Sequence, residues 1–132
     1  MSAYLNIVLD NTKFKLALSA ACRKLRNKKF DAIAVTGNSG TLIGGALALK
    51  LEKPIILVRK PGVDSHGTEL EILFETVDSY IFVDDFIDSG ATIKRVISTI
   101  TSKDENMQLV GAYLYRDKTF VPKNELAYYT SK

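Results

Sequence analysis

The residues best suited to chemistry lie in one short stretch in the middle of the chain. It reads Asp84-Asp85-Phe86-Ile87-Asp88-Ser89-Gly90-Ala91-Thr92, between the apolar run 79–83 and a segment with apolar residues at helical spacing. Two adjacent carboxylates at a strand end can hold vicinal hydroxyl groups. A turn of small residues at a helix N-terminus offers unpaired backbone amides and a positive dipole end to a phosphate monoester. The stretch 84–92 therefore fits a ribose 5-phosphate.

Acidic residues followed by Ser-Gly are also typical of a solvated loop and of a helix N-cap. Asp88 in particular could cap the following helix. The complete string favours a binding site, because an apolar strand, three acids, a Ser-Gly-x-Thr turn and a helix all coincide.

The composition of the chain limits what it can be. A length of 132 residues predicts one domain, and 46% hydrophobic with 25% charged residues indicates a globular core rather than disorder. Cys22 cannot form an internal disulfide, and it lies on a helical pattern as a small core residue. The longest apolar run, residues 42–49, is too short to span a membrane, and no signal peptide is seen, so we expect a cytoplasmic protein.

The net charge of +3 hides a dense basic segment near the N-terminus. Such a segment could attract nucleic acid, but no aromatic residues interleave with it as stacking platforms. We interpret it as the solvated face of a helix, and we expect no nucleic-acid partner. The basic residues are Lys13, Lys15, Arg23, Lys24, Arg26, Lys28 and Lys29.

The order of predicted elements indicates an α/β fold with a parallel β-sheet covered on both faces by helices. A short strand is predicted over 4–9, and a helix capped by Asp10 or Asn11 extends to about residue 27. The chain then alternates between strands and other elements. Four strands are predicted, over 31–36, 54–58, 79–83 and 109–115. A turn over 37–40 and a helix over 41–51 follow the first strand, an irregular stretch over 59–78 follows the second, and a helix over 89–101 follows the third. In such sheets ligands bind beyond the carboxyl ends of the strands, so three segments should converge, 37–40, 59–60 and 84–92.

The first of these segments is rich in glycine. Gly37-Asn38-Ser39-Gly40 permits positive φ angles that turn successive amides toward an anion such as pyrophosphate. It lacks the spacing of a P-loop and of the dinucleotide-binding fingerprint. By itself it is equally typical of a tight strand-to-helix turn.

The string 84–92 resembles the phosphoribosyl-pyrophosphate (PRPP) motif of type I phosphoribosyltransferases, and residues 50–62 resemble the lysine-proline strand and arginine-lysine pair of adenine and xanthine enzymes. The resemblance covers roughly 30–116. It implies a single domain over 1–132 with a small hood from 1–12 and 117–132. The implied reaction transfers 5-phosphoribosyl from PRPP to a nitrogenous base, most simply a purine, with Mg²⁺ as cofactor and release of pyrophosphate.

The resemblance also assigns roles to individual residues. PRPP would be bound by Asp84, Asp85, Asp88, Ser89, Gly90, Ala91 and Thr92, and pyrophosphate by Thr36, Gly37, Asn38, Ser39, Gly40, Arg59 and Lys60. Catalytic roles would fall to Asp88, Arg59 and Lys60, and a looser match places the base against Lys118 and Phe120. Asp84 and Asp85 would meet the metal indirectly, through water or ribose.

Several interpretations stay open at this point. His66, in the family's flexible loop, either touches a phosphate or is simply exposed, and that loop is short for the family. Asp88 matches hypoxanthine-guanine enzymes, whereas the upstream residues match adenine enzymes better. The C-terminal tyrosines either pack a sheet edge or form a subunit contact. A homodimer is expected by resemblance. A non-catalytic PRPP or nucleotide sensor on the same fold is the alternative function, and an interaction protein with a vestigial site is disfavoured by the intact string 84–92.

Overall fold

The computed structural model describes residues 5–59, 70–72 and 77–130. The helices are α1 (Asn6–Leu9), α2 (Asn11–Leu25), α3 (Gly37–Leu51), α4 (Ala91–Lys103) and α5 (Ala127–Thr130), with a 3-10 helix at Lys123–Glu125. The strands are β1 (Ala32–Val35), β2 (Ile55–Val58), β3 (Leu70–Ile72), β4 (Ser79–Asp84), β5 (Gln108–Leu114) and β6 (Thr119–Pro122).

The strands form one six-stranded sheet in the order β3-β2-β1-β4-β5-β6. The four inner strands are parallel, which confirms the predicted α/β fold. The two edge strands, β3 and β6, are antiparallel to their neighbours. For β6 the reason is local, because residues 115–118 are too few to carry the chain back across the sheet as a parallel crossover requires.

Side chains of β1 show how the two faces of the sheet are filled. Ala32 and Ala34 point into the core beneath α4, whereas Ile33 and Val35 point into the core beneath α2 and α3. All four are fully buried, as expected for a strand covered on both faces. None of the helices in the described ranges is long and apolar enough to cross a bilayer.

Helix α2 starts where the sequence predicted. Asp10 is its N-cap, and the Asp10 carboxylate accepts a hydrogen bond of 2.8 Å from the amide of Lys13. The helix ends at Leu25, close to the predicted end, and buries a stripe of small and apolar residues that includes Cys22.

Two local predictions are wrong. The segment predicted as a strand over 4–9 forms a short helix over Asn6–Leu9, which packs against α2 and α3 and buries Val8 there instead of joining the sheet. The turn predicted over 37–40 is the first turn of α3, which begins at Gly37 directly after its N-cap Thr36. The glycine segment therefore presents a helix N-terminus at the end of β1.

Candidate active site

The stretch 84–92 encloses a cavity at the carboxyl end of the parallel sheet. β4 ends at Asp84, α4 begins at Ala91, and the cavity between them has a volume of about 200 Å³. Gly90, the N-cap of α4, has φ of 87°, a left-handed conformation that strains any residue with a Cβ. No side chain among the described residues fills the bend. The lining residues are Phe82, Asp84, Asp85, Phe86, Ile87, Asp88, Ser89, Gly90, Thr92 and Ile93.

The two adjacent acids are held firmly at the mouth of β4. The Asp84 carboxylate accepts a hydrogen bond of 2.9 Å from the amide of Asp85, and the Asp85 carboxylate accepts one of 2.9 Å from the amide of Phe86. Their backbone carbonyls accept from the amides of Tyr115 and Arg116, which extends the pairing between β4 and β5 into the loop. Asp85 is only 7% exposed. The acids are thus oriented before any ligand arrives.

The small-residue turn leads into the N-terminus of α4, where unpaired amides favour an anion. Ser89 Oγ accepts a hydrogen bond of 3.2 Å from the amide of Ala91. Ser89 rather than Asp88 therefore satisfies the start of the helix. Asp88 is exposed and lines the cavity. Nothing among the described residues supports Asp88 as the cap of α4, and its role as a base stays a prediction.

The first turn of α3 lies directly beside the acids. A Cβ added to Gly40 would be 3.0 Å from the carbonyl oxygen of Val83 and 3.4 Å from Oδ1 of Asp84. Only glycine allows this approach without displacement of the neighbouring backbone. The structure therefore brings together the predicted pyrophosphate segment, residues 36–40, and the predicted ribose segment.

Arg59, at the end of β2, belongs to the third predicted segment. Its guanidinium donates a hydrogen bond of 2.6 Å to the Glu71 carboxylate on β3, and both side chains are partly exposed. Lys60, which was also predicted to contribute, and His66, whose role the sequence left open, lie outside the described residues.

Arg95 connects these segments, and the sequence reasoning missed it. Its guanidinium donates to the carbonyl of Arg59 at 3.0 Å and to Oγ1 of Thr36 at 3.1 Å. The signal that could have revealed it is a charged residue between two buried positions of α4, Ile93 and Val96.

The predicted base-binding residues lie away from the cavity, and their role stays a prediction. The Phe120 ring packs against Gly111, where an added Cβ would be 2.5 Å from Phe120 Cζ, and Lys28 Nζ lies 4.4 Å from the ring centroid. Lys118 is exposed in the turn between β5 and β6. Neither side chain lines the 84–92 cavity.

An aromatic residue that does line the cavity is Phe86, and sequence reasoning assigned it no role. The Arg116 guanidinium lies 4.4 Å from its ring centroid, a distance typical of a cation–π contact. Phe86 is 37% exposed, so part of the ring remains open to a planar ligand.

A buried tyrosine lies near the two acids. Tyr115 is 1% exposed, and burial raises the pKa of its hydroxyl to about 12, with Asp85 and Asp84 acting in the same direction and Ser39 against it. The Tyr115 hydroxyl makes no hydrogen bond of ordinary geometry among the described residues, although Ser39 is near enough to influence it. Tyr115 does not line the 84–92 cavity.

Comparisons with known proteins agree with this geometry. Residues 1–130 match the PRTase-CE family. Adenine phosphoribosyltransferase of Borreliella burgdorferi is 37% identical over 82 residues, covering 51% of this chain and 47% of that protein. Adenine phosphoribosyltransferase of Citrifermentans bemidjiense is 32% identical over 110 residues, covering 72% of this chain and 64% of that protein.

The fold is shared with solved structures as well. The crystal structure of adenine phosphoribosyltransferase from Thermoanaerobacter pseudethanolicus superposes with a TM-score of 0.62 at 25% identity, over 85% of this chain and 77% of that one. The first of the curated relatives is matched over about half its length, 47%. The predicted resemblance to type I phosphoribosyltransferases is confirmed, and the chain belongs to the PRTase-CE family.

Proposed function

We propose that this chain catalyses transfer of 5-phosphoribosyl from PRPP to a purine base with release of pyrophosphate. The observation that carries the proposal is the cavity at 84–92, where two oriented carboxylates, a small-residue bend and a helix N-terminus surround a space of about 200 Å³. The adenine phosphoribosyltransferases among its relatives support a purine acceptor.

In this proposal the ribose 5-phosphate binds in the 84–92 cavity. Asp84 and Asp85 hold the ribose hydroxyls, and the amides and hydroxyls that follow them hold the 5-phosphate. The residues proposed to bind PRPP are Asp84, Asp85, Asp88, Ser89, Gly90, Ala91 and Thr92.

The pyrophosphate then extends toward the start of α3 and the end of β2. Thr36, Gly37, Asn38, Ser39 and Gly40 offer a helix N-terminus and two hydroxyl groups, and Arg59 and Lys60 offer positive charge. As the bond to pyrophosphate lengthens, negative charge develops on the leaving group, and nearby cations and oriented amides stabilise it. The ion pair between Arg59 and Glu71 implies that Arg59 exchanges a carboxylate partner for the pyrophosphate.

Magnesium fits this site as an ion that arrives with the substrate. Within the described residues no cluster of three or more His, Cys, Asp or Glu side chains could hold a metal by itself. Mg²⁺ is commonly bound by one or two carboxylates together with substrate phosphates and water, and the adjacent Asp84 and Asp85 match that arrangement. When bound, the ion would neutralise charge on the pyrophosphate.

The incoming base would lie on the outer side of the cavity. Asp88 lines the cavity and is proposed to accept the proton that the base nitrogen loses. Lys118 and Phe120 are retained as proposed base contacts in a hood formed by 1–12 and 117–132. Because β6 belongs to the main sheet, the C-terminal part of that hood is anchored to the core. A homodimer in the cytoplasm is the proposed cellular form.

The test is turnover in solution. Purified protein is incubated with Mg²⁺, PRPP and, in turn, adenine, hypoxanthine, guanine, xanthine, uracil and orotate, and pyrophosphate release is measured. Release of pyrophosphate that depends on a purine is expected, and Asp88→Asn should lower the rate because it removes the proposed proton acceptor. Calorimetric binding of PRPP without turnover on any base would instead identify a non-catalytic PRPP-binding protein.

A further inference from the structure

Arg95 occupies an unusual position on α4. It follows the phosphate-binding turn by one helical turn and lies, half-buried, between the fully buried Ile93 and Val96. A charged group at such a position loses hydration, and this loss must be offset by hydrogen bonds. An apolar side chain would fill the same position at lower cost to the fold.

The hydrogen bonds of Arg95 reach two different strand ends. Its NH2 group donates to Oγ1 of Thr36, 59 positions away in sequence, at 3.1 Å. Its NH1 group donates to the carbonyl of Arg59, 36 positions away, at 3.0 Å. The planar guanidinium has a rigid fork of donors, so one side chain bridges the residues that directly follow β1 and β2.

Both acceptors belong to the segments proposed to bind pyrophosphate. Thr36 is also the N-cap of α3, so its position determines where the amides of that helix start. Arg59 directly follows β2, and its carbonyl is held by the Arg95 guanidinium while its side chain extends to Glu71. The backbone of α4 links Arg95 to the turn proposed to bind the 5-phosphate.

We propose that Arg95 is a positioning residue for the pyrophosphate half of the site, coupling it to the phosphate-binding turn through α4. This inference rests on the proposed function. It predicts that loss of the bridge weakens binding of pyrophosphate and of PRPP but not binding of ribose 5-phosphate, because the latter needs only the 84–92 cavity.

The test compares the native protein with Arg95→Met, Arg95→Lys and the control Lys103→Met. Lys103 lies on the exposed far end of the same helix, so the control removes the same charge without touching either strand end. Affinities for ribose 5-phosphate, for pyrophosphate with Mg²⁺ and for PRPP with Mg²⁺ are measured by calorimetry. Melting temperatures are recorded in parallel.

For Arg95→Met we expect pyrophosphate and PRPP affinity to fall about tenfold, as for loss of hydrogen bonds from a charged donor, and ribose 5-phosphate affinity to stay within about twofold. Lysine keeps the charge but cannot span both acceptors, so Arg95→Lys should recover less than half of the lost affinity on a logarithmic scale. If Arg95→Met does not fold, Arg95→Lys decides the question by the same selective loss.

Three results would overturn the inference. Equal losses for ribose 5-phosphate and pyrophosphate would show general damage, full recovery by lysine would show that only charge matters, and unchanged affinities would show no role. A native protein that binds neither PRPP nor ribose 5-phosphate would instead refute the proposed function itself, and this inference with it.

Discussion

Replacing two glycines of α3 one at a time tests how tightly this helix is seated against the acids. A Cβ at Gly40 would be 3.0 Å from the carbonyl oxygen of Val83 and 3.4 Å from Oδ1 of Asp84. A Cβ at Gly45, on the same helix, would meet nothing within 4 Å. The two Gly→Ala changes are therefore chemically identical and differ in their surroundings.

The expected magnitudes follow from these distances. Alanine in a helix interior is more favourable than glycine by about 1 kcal/mol, so Gly45→Ala should raise the melting temperature by about 3–5 °C. In Gly40→Ala the gain in helix propensity is no larger than this, and the close contact of the new Cβ adds an overpacking cost of about 1–3 kcal/mol to the folded state. The melting temperature of Gly40→Ala should lie about 3–15 °C below that of Gly45→Ala.

The change at Gly40 should also reach the ligand. Val83 lies in β4, which is paired on both sides by β1 and β5, so the helix rather than the strand must give way. A displacement of a few tenths of an ångström should weaken PRPP binding severalfold, because α3 begins in the segment proposed to bind pyrophosphate.

Thermal melting and calorimetry with PRPP measure the two effects. Gly45→Ala should bind PRPP as the native protein does. If Gly40→Ala melted as high as Gly45→Ala and bound PRPP without loss, the close contact between α3 and the end of β4 would be refuted.

Three further outcomes are expected. The double change of Asp84 and Asp85 to Asn keeps the side-chain oxygens that accept the backbone hydrogen bonds but removes both charges. PRPP affinity should therefore fall at least about tenfold with little change in melting temperature. A much lower melting temperature with unchanged PRPP affinity would contradict the proposed role of the two acids. The amides of Asp78 and Ser79 lower the pKa of Asp31 below 3.8. The ionised Asp31 therefore stabilises the fold at pH values above the pKa that this carboxyl has in the unfolded chain, and the stabilisation is lost as the pH falls through its lower pKa in the folded protein. Melting curves between pH 2 and 6 should show the native protein losing its advantage over Asp31→Asn below about pH 4. Burial raises the pKa of three of the six tyrosines to about 12. Ultraviolet titration of the folded protein should therefore show at most about half of the phenol groups ionised at pH 11. Ionisation of all six near pH 10 would refute the burial of these three. These tyrosines are Tyr80, Tyr113 and Tyr115.

The features that the sequence predicted correctly depend on residues close together in the chain. The Asp10 cap, the strand that ends in Asp84 and the turn that enters α4 are read from neighbouring residues, because strand, turn and helix signals act over a few positions. The same locality explains one error, since a short apolar segment such as 5–9 satisfies both periods, and only the whole fold decides that it packs against α2 and α3 rather than in the sheet.

By itself the sequence determined that an acid pair, a small-residue bend and a helix N-terminus follow one another after a buried strand, and hence what chemistry they suit. The tertiary structure decided which segments meet them: Gly40 against Val83, Arg95 on Thr36 and Arg59, and Phe120 over Gly111 rather than in the cavity. The physical reason is that these contacts depend on strand order and on the rotation of each helix over the sheet. Both are set by packing of the whole core, which no local pattern of residues records.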